Sequence, residues 1–75
     1  MPRDLVDTDH PELLATAIRV RREQLGLRME DVASVSGLSL TTVRRVEGGQ
    51  DMTVSTLRAI AKALSTTIAQ LLSAA

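Results

Sequence analysis

The stretch from Met29 to Glu47, MEDVASVSGLSLTTVRRVE, decides how this chain of 75 residues folds. Apolar residues recur at helical spacing in 29–36 and again in 40–47, and Gly37 separates the two segments. Glycine readily takes the left-handed conformation that turns a chain between helices. Ala33 is small enough for two helices to cross closely, and Val43 lies on the inner side of the second segment. The stretch therefore predicts two short helices joined by a tight turn.

The outer side of the second segment carries hydrogen-bond donors. Thr41, Thr42, Arg44 and Arg45 share this side of the predicted helix 40–47. Hydroxyl and guanidinium groups are suited to base edges and phosphates in the major groove of DNA. A short helix, a glycine turn and a second helix with such a face is the layout of a DNA-reading helix-turn-helix.

On the N-terminal side of this stretch, the pattern predicts a first helix over 10–25. Asp9 is the expected cap, and Gly26 supplies the stop. The inner face is expected to hold the apolar residues Leu14, Ala17, Ile18 and Leu25.

On the C-terminal side, two further helices are predicted, over 54–64 and 68–73. Thr53 and Thr67 are their expected caps. Ser65 stands between them at a helix-stop position where glycine is usual, which indicates local strain. The fold class predicted is all-α, with five helices and no strands.

Charge is distributed unevenly along the chain. The net charge of zero divides into −3 for residues 1–12 and +3 for residues 13–75. The sequence predicts a flexible acidic N-terminal arm at residues 1–9, with a passive solvated tail as the alternative. Residues 10–75 are predicted to form the helix-turn-helix DNA-binding domain.

Composition excludes several classes of function. Without cysteine there is no disulfide framework and no thiolate zinc site, and the single histidine excludes a histidine cluster, so no metal and no cofactor are expected. No run of about 18 apolar residues indicates a membrane span. No nucleophile stands beside a base and no glycine-rich phosphate loop is present, so the chain is not expected to be an enzyme. The expected location is the cytoplasm of a bacterium or phage host, at the nucleoid.

Together these motifs resemble the lambda-repressor-like, Cro-type helix-turn-helix domain of the XRE family. The resemblance covers residues 14–72 and implies a compact bundle of five helices that binds operator DNA, usually as a dimer. Its third helix is the recognition helix. The residues that carry the resemblance are Ile18, Arg22, Gly26-Leu27, Glu30-Asp31-Val32-Ala33, Gly37-Leu38-Ser39, Val43, Glu47, Gly49, Leu57, Ile60-Ala61 and Ala63-Leu64.

The resemblance also implies roles for individual side chains. Arg22 and Glu47 match a structural ion pair that ties the first helix to the end of the third. Phosphate contacts are implied for Arg22, Arg28 and Ser39. Base contacts are implied for five positions of the third helix: Leu40, Thr41, Thr42, Arg44 and Arg45.

Besides Ser65, three positions depart from the family pattern. Arg28 and Met29 stand where Thr or Ser and then Gln are usual, so the side-chain cap of the second helix is lost. Arg28 is either a phosphate ligand in its place or a solvated surface residue. Leu40 stands where a polar residue often reads a base, and it either contacts a thymine methyl or packs under the helix start.

The function predicted is a sequence-specific regulator of transcription that binds double-stranded DNA, a repressor that covers a palindromic operator as a homodimer. The expected dimer surface contains Ile68, Leu71 and Leu72, with simple core packing as the alternative for these three. No membrane and no small-molecule ligand is expected. The alternative function is a protein-interaction module or antitoxin-like component of the same fold, with weak DNA binding and a protein partner.

Overall fold

The computed structural model describes residues 5, 6 and 8–75, and within them the chain forms five α-helices. They are α1 (Pro11–Gln24), α2 (Met29–Ser36), α3 (Leu40–Glu47), α4 (Val54–Ala63) and α5 (Ile68–Ala74). The all-α, five-helix prediction is confirmed, and the bounds of α2 and α3 agree with the sequence pattern. The described residues contain one isolated antiparallel bridge, between Leu5 and Thr53.

The core lies where all five helices meet. The largest side chains in it are aliphatic, because the sequence holds no aromatic residue. Helix α2 packs on α3 and α4, while α1 packs on α3 and α5. The buried apolar residues are Leu14, Ala15, Ile18, Val32, Val43, Val46, Met52, Leu57, Ile60, Ala61, Leu64 and Leu71.

Two sequence predictions for α1 are wrong. His10, rather than Asp9, is the N-cap residue, and its side chain makes no capping hydrogen bond. Instead, its backbone N–H donates to the Thr8 hydroxyl at 3.1 Å. Leu25 was expected on the inner face, but it follows the last helical residue and is exposed, because the chain has begun to turn toward Gly26.

The turn between α2 and α3 is built by Gly37. Its φ of 79° lies in the left-handed region, and its N–H donates to the Ala33 carbonyl at 3.0 Å. The next residue, Leu38, donates its N–H to the Ser36 hydroxyl and packs against the core. A side chain with a Cβ would be strained at this φ, so glycine is what allows the sharp turn.

The first described residues lie against the loop between α3 and α4. The Val6 N–H donates to the Met52 carbonyl at 2.8 Å, beside the bridge between Leu5 and Thr53, and Val6 packs against the core. The predicted flexible arm therefore has an anchor within it. Residues 1–4 and Asp7 lie outside the described residues, and the flexibility of the arm stays a prediction.

Candidate nucleic-acid interface

Helix α3 presents two different faces. Val43 and Val46 are fully buried and fix the helix to the core. Thr41, Arg44 and Arg45 are exposed on the other side. The helix is thus held by two β-branched residues while its donors stay available, which is the arrangement a recognition helix needs.

The start of α3 is capped by Ser39. Its hydroxyl accepts the Thr42 N–H at 3.1 Å and donates to the Thr42 side-chain oxygen at 3.0 Å. The cap satisfies one of the free N–H groups of the first turn. Thr42 is half-buried, so its hydroxyl is partly committed to this contact, and Thr41 is the more accessible of the two threonines.

Leu40, at the first position of α3, is half-exposed. It is absent from the apolar side chains packed on the core. Part of its side chain therefore remains available for contact with an apolar group such as a thymine methyl.

Arg22 and Glu47 meet between α1 and the end of α3. The Arg22 Nε and Nη2 atoms donate to the two Glu47 carboxylate oxygens at 2.6 and 3.0 Å. Nη1 donates to the Leu27 carbonyl at 2.9 Å. The side chains are only 12% and 8% exposed. The hydrogen bonds that Arg22 donates to the Glu47 carboxylate raise the pKa of Arg22 above its ordinary value.

This geometry makes Arg22 a structural link between α1 and the end of α3. All three guanidinium nitrogens already bind acceptors within the protein, and little of the side chain faces solvent. The structure thus favours the implied ion pair over the phosphate contact expected of the same residue.

Arg28 lies at the N-terminus of α2 with its side chain 78% exposed. Its backbone N–H donates to the Asp31 carboxylate at 2.8 Å, and its Nε lies 3.6 Å from the same oxygen. The hydrogen bond from the Arg28 N–H lowers the pKa of Asp31. Asp31 therefore caps α2 from inside the helix. The acid three residues after the cap position is the sequence signal for this contact.

The three apolar residues expected at a dimer surface are not equivalent. Leu71 is 3% exposed and belongs to the core of its own chain, whereas Leu72 is 38% exposed and Ile68 is half-buried. Burial of Leu71 conflicts with its expected place at a dimer surface, because a partner would meet little of it. Any contact through α5 would involve Ile68 and Leu72.

The α4–α5 corner carries a contact that the sequence did not indicate. Arg21 reaches from α1 and donates its Nε to the Leu64 carbonyl at 2.9 Å and its Nη2 to the Ser65 carbonyl at 3.2 Å. Backbone carbonyls are present at every residue, so no sequence pattern marks such a partner.

Other kinds of site are not indicated in the described part of the chain. No group of three or more His, Cys, Asp or Glu side chains there is placed to hold a metal ion. Within the same residues, no helix is long and apolar enough to cross a membrane.

Comparison with known proteins shows the family of this chain. Residues 18–71 match the family model described as helix-turn-helix. Control protein C.SmaI of Serratia marcescens is 39% identical over 70 residues, which cover 92% of this chain and 83% of that protein.

Solved structures give the same picture. The hypothetical transcription factor NHTF from Neisseria has 32% identity and a TM-score of 0.78, over 96% of this chain and 85% of that one. The wild-type restriction-modification controller protein C.Esp1396I superposes with a TM-score of 0.77 over 89% of this chain and 88% of its own. At 22% identity, the latter shows a shared fold.

Proposed function

Since this chain belongs to the helix-turn-helix family, of the XRE type, we propose that it is a transcription regulator that reads a two-fold symmetric operator in double-stranded DNA as a homodimer. The observation that carries the proposal is the exposed face of α3, with Thr41, Arg44 and Arg45 standing outward from a helix whose other side is fully buried. In the family geometry this helix enters the major groove.

Direct base contacts are proposed for five positions of α3: Leu40, Thr41, Thr42, Arg44 and Arg45. Arg44 and Arg45 carry forked guanidinium groups, which bind guanine edges with two hydrogen bonds or neutralise phosphates. Thr41 offers both a hydroxyl and a methyl group. Leu40 contributes an apolar contact at the start of the helix.

The exposed face of α3 with Thr41, Arg44 and Arg45 is called the reading face below. Phosphate contacts are proposed at the two helix starts that flank it. Arg28 is the N-cap residue of α2, and the positive end of this helix also attracts phosphate. Ser39 is exposed at the start of α3, and its hydroxyl would exchange its donation to the Thr42 side-chain oxygen for one to a phosphate. Asp31 competes with phosphate for Arg28 because it lies 3.6 Å from the same guanidinium.

Gene control is proposed to act by repression. The proposed action is that the bound dimer covers a promoter and excludes polymerase. The similarity to a protein named as a control protein supports a role in gene control. We propose that Ile68 and Leu72 form the dimer contact that sets two α3 helices about 34 Å apart, one turn of DNA.

Salt dependence of binding tests this function. With about four to six phosphate contacts, the logarithm of the association constant should fall with the logarithm of salt concentration at a slope of roughly −4 to −5. Fluorescence anisotropy of a labelled duplex between low and moderate salt measures the slope. Affinity that does not change with salt would contradict DNA binding. If the chain bound a protein partner tightly and shifted no DNA, the protein-interaction module would be favoured.

The acidic arm is expected to weaken nonspecific DNA binding by like-charge repulsion. Deleting residues 1–8 would remove Asp4 and Asp7. It would also remove Arg3 and the contact of Leu5 and Val6 with the loop after α3. A cleaner variant changes Asp4, Asp7 and Asp9 to Asn and keeps that contact. It should bind random duplex more tightly than wild type at low salt and equally at high salt. Equal affinity at low salt would make the arm a passive tail.

A further inference from the structure

The turn between α4 and α5 holds a residue in an unfavourable backbone conformation. Ser65 has a φ of 56°, in the left-handed region that favours glycine. The turn is closed by its own backbone, since the Ser65 N–H donates to the Lys62 carbonyl and the Thr66 N–H donates to the Ala61 carbonyl. These bonds use carbonyls inside α4 and leave the last carbonyls of the turn to other partners.

Arg21 supplies those partners from a different helix. Its two donations, to the Leu64 and Ser65 carbonyls, bind both sides of the strained residue at once. A cation at the C-terminal end of a helix is also favoured by the helix dipole. Among the described residues, Arg21 forms no ion pair with a carboxylate. The acceptors of its guanidinium there are the two carbonyls of this turn.

The position of the turn decides where α5 points. Thr67 caps α5 two residues after Ser65, and Ile68 is the first residue of the helix. Leu71 then enters the core while Leu72 faces outward. A change in the backbone at Ser65 would rotate or shift the start of α5, and it would move Ile68 and Leu72 together.

We propose that Arg21 is a positioning residue for the dimer surface: it fixes the left-handed turn at Ser65 and thereby sets the direction in which α5 presents Ile68 and Leu72 to a second copy. This inference rests on the proposed function, because it concerns the dimer that reads a symmetric operator. It assigns a role to a side chain that lies outside the reading face.

The experiment compares self-association with DNA binding in two single variants. Arg21→Met removes the donors and keeps an unbranched side chain. Arg19→Met is the matched control, because it removes the same charge from an exposed position of α1. Sedimentation equilibrium gives the dimer dissociation constant, and anisotropy gives affinities for a symmetric operator obtained by selection and for a duplex with one half-site.

Arg21→Met should weaken dimerisation by about tenfold relative to Arg19→Met, the value of one hydrogen bond to a charged group. Binding to the symmetric operator should weaken with it, while binding to one half-site should equal that of the control. Adding Ser65→Gly should restore dimerisation to within about threefold, because glycine adopts the left-handed turn without help.

Four results would overturn the inference. The dimer constant of Arg21→Met could equal that of Arg19→Met, or Ser65→Gly could fail to restore it. Half-site binding could also fall in step with dimerisation, which would show a general loss of folding. A wild-type protein that binds DNA but never self-associates overturns this inference and the dimer, and leaves DNA binding intact. A wild type that binds no duplex contradicts the proposed function itself.

Discussion

Replacing Glu47 by alanine is expected to lower the free energy of unfolding by about 3 kcal/mol, because it leaves the Arg22 guanidinium charged and unpaired in a nearly buried position. That is a large share of the total for a chain of this length, whose stability should be on the order of 4–11 kcal/mol. Urea titration followed by circular dichroism measures the loss.

Two companion variants show whether the loss comes from the broken pair. Glu23→Ala removes a carboxylate from an exposed position and should change stability by less than about 0.5 kcal/mol. The double variant Arg22→Met/Glu47→Leu removes both charges and should recover much of the loss, since apolar groups often replace a buried pair at little cost. A loss below about 1 kcal/mol for Glu47→Ala would mean that the pair does not brace α3.

Replacing Arg45 by alanine is expected to weaken operator binding by about 1–3 kcal/mol, or roughly fivefold to more than a hundredfold. Arg45 is exposed on α3, so the same change should alter stability by less than about 0.5 kcal/mol. Anisotropy titration with operator and with random duplex, beside a urea titration, measures both quantities.

The comparison of operator with random duplex separates the two contacts proposed for Arg45. Loss of a base contact weakens the operator far more than random DNA. Loss of a phosphate contact weakens both alike and reduces the salt slope by about one. Arg19→Ala, which removes a charge from exposed α1, should weaken both only slightly. Unchanged operator affinity in Arg45→Ala would remove Arg45 from the reading face.

The helix-turn-helix could be predicted because its signals are local. Gly37 is the residue that a left-handed turn requires, and its φ of 79° agrees. Val43 and Val46 recur at helical spacing and are fully buried. Ser65 was expected to be strained because a non-glycine residue stands at a helix stop, and its φ is positive. In each case, one or a few neighbouring residues decide the conformation.

The features that the sequence did not predict depend on contacts between distant residues. The reach of Arg21 to the Leu64 carbonyl spans 43 positions and has no local pattern. The bridge between Leu5 and Thr53 could not be predicted either, because the sequence of the N-terminal segment indicates only an acidic arm. Leu71 and Leu72 are both apolar in the sequence, but packing of α5 against α1 and α4 decides which one is buried. The reading-face contacts themselves stay predictions.

Selection of bound sites from a pool of random duplexes tests the central claim, sequence-specific binding to double-stranded DNA, most directly. The account predicts enrichment of one two-fold symmetric site whose half-sites lie about one helical turn apart, because two α3 helices would be presented with that spacing. With Arg45→Ala, if its contact is to a base, the sequence preference should relax at the position that Arg45 reads. A pool that shows no enriched sequence after repeated rounds, at a salt concentration where the protein is folded, would contradict the claim.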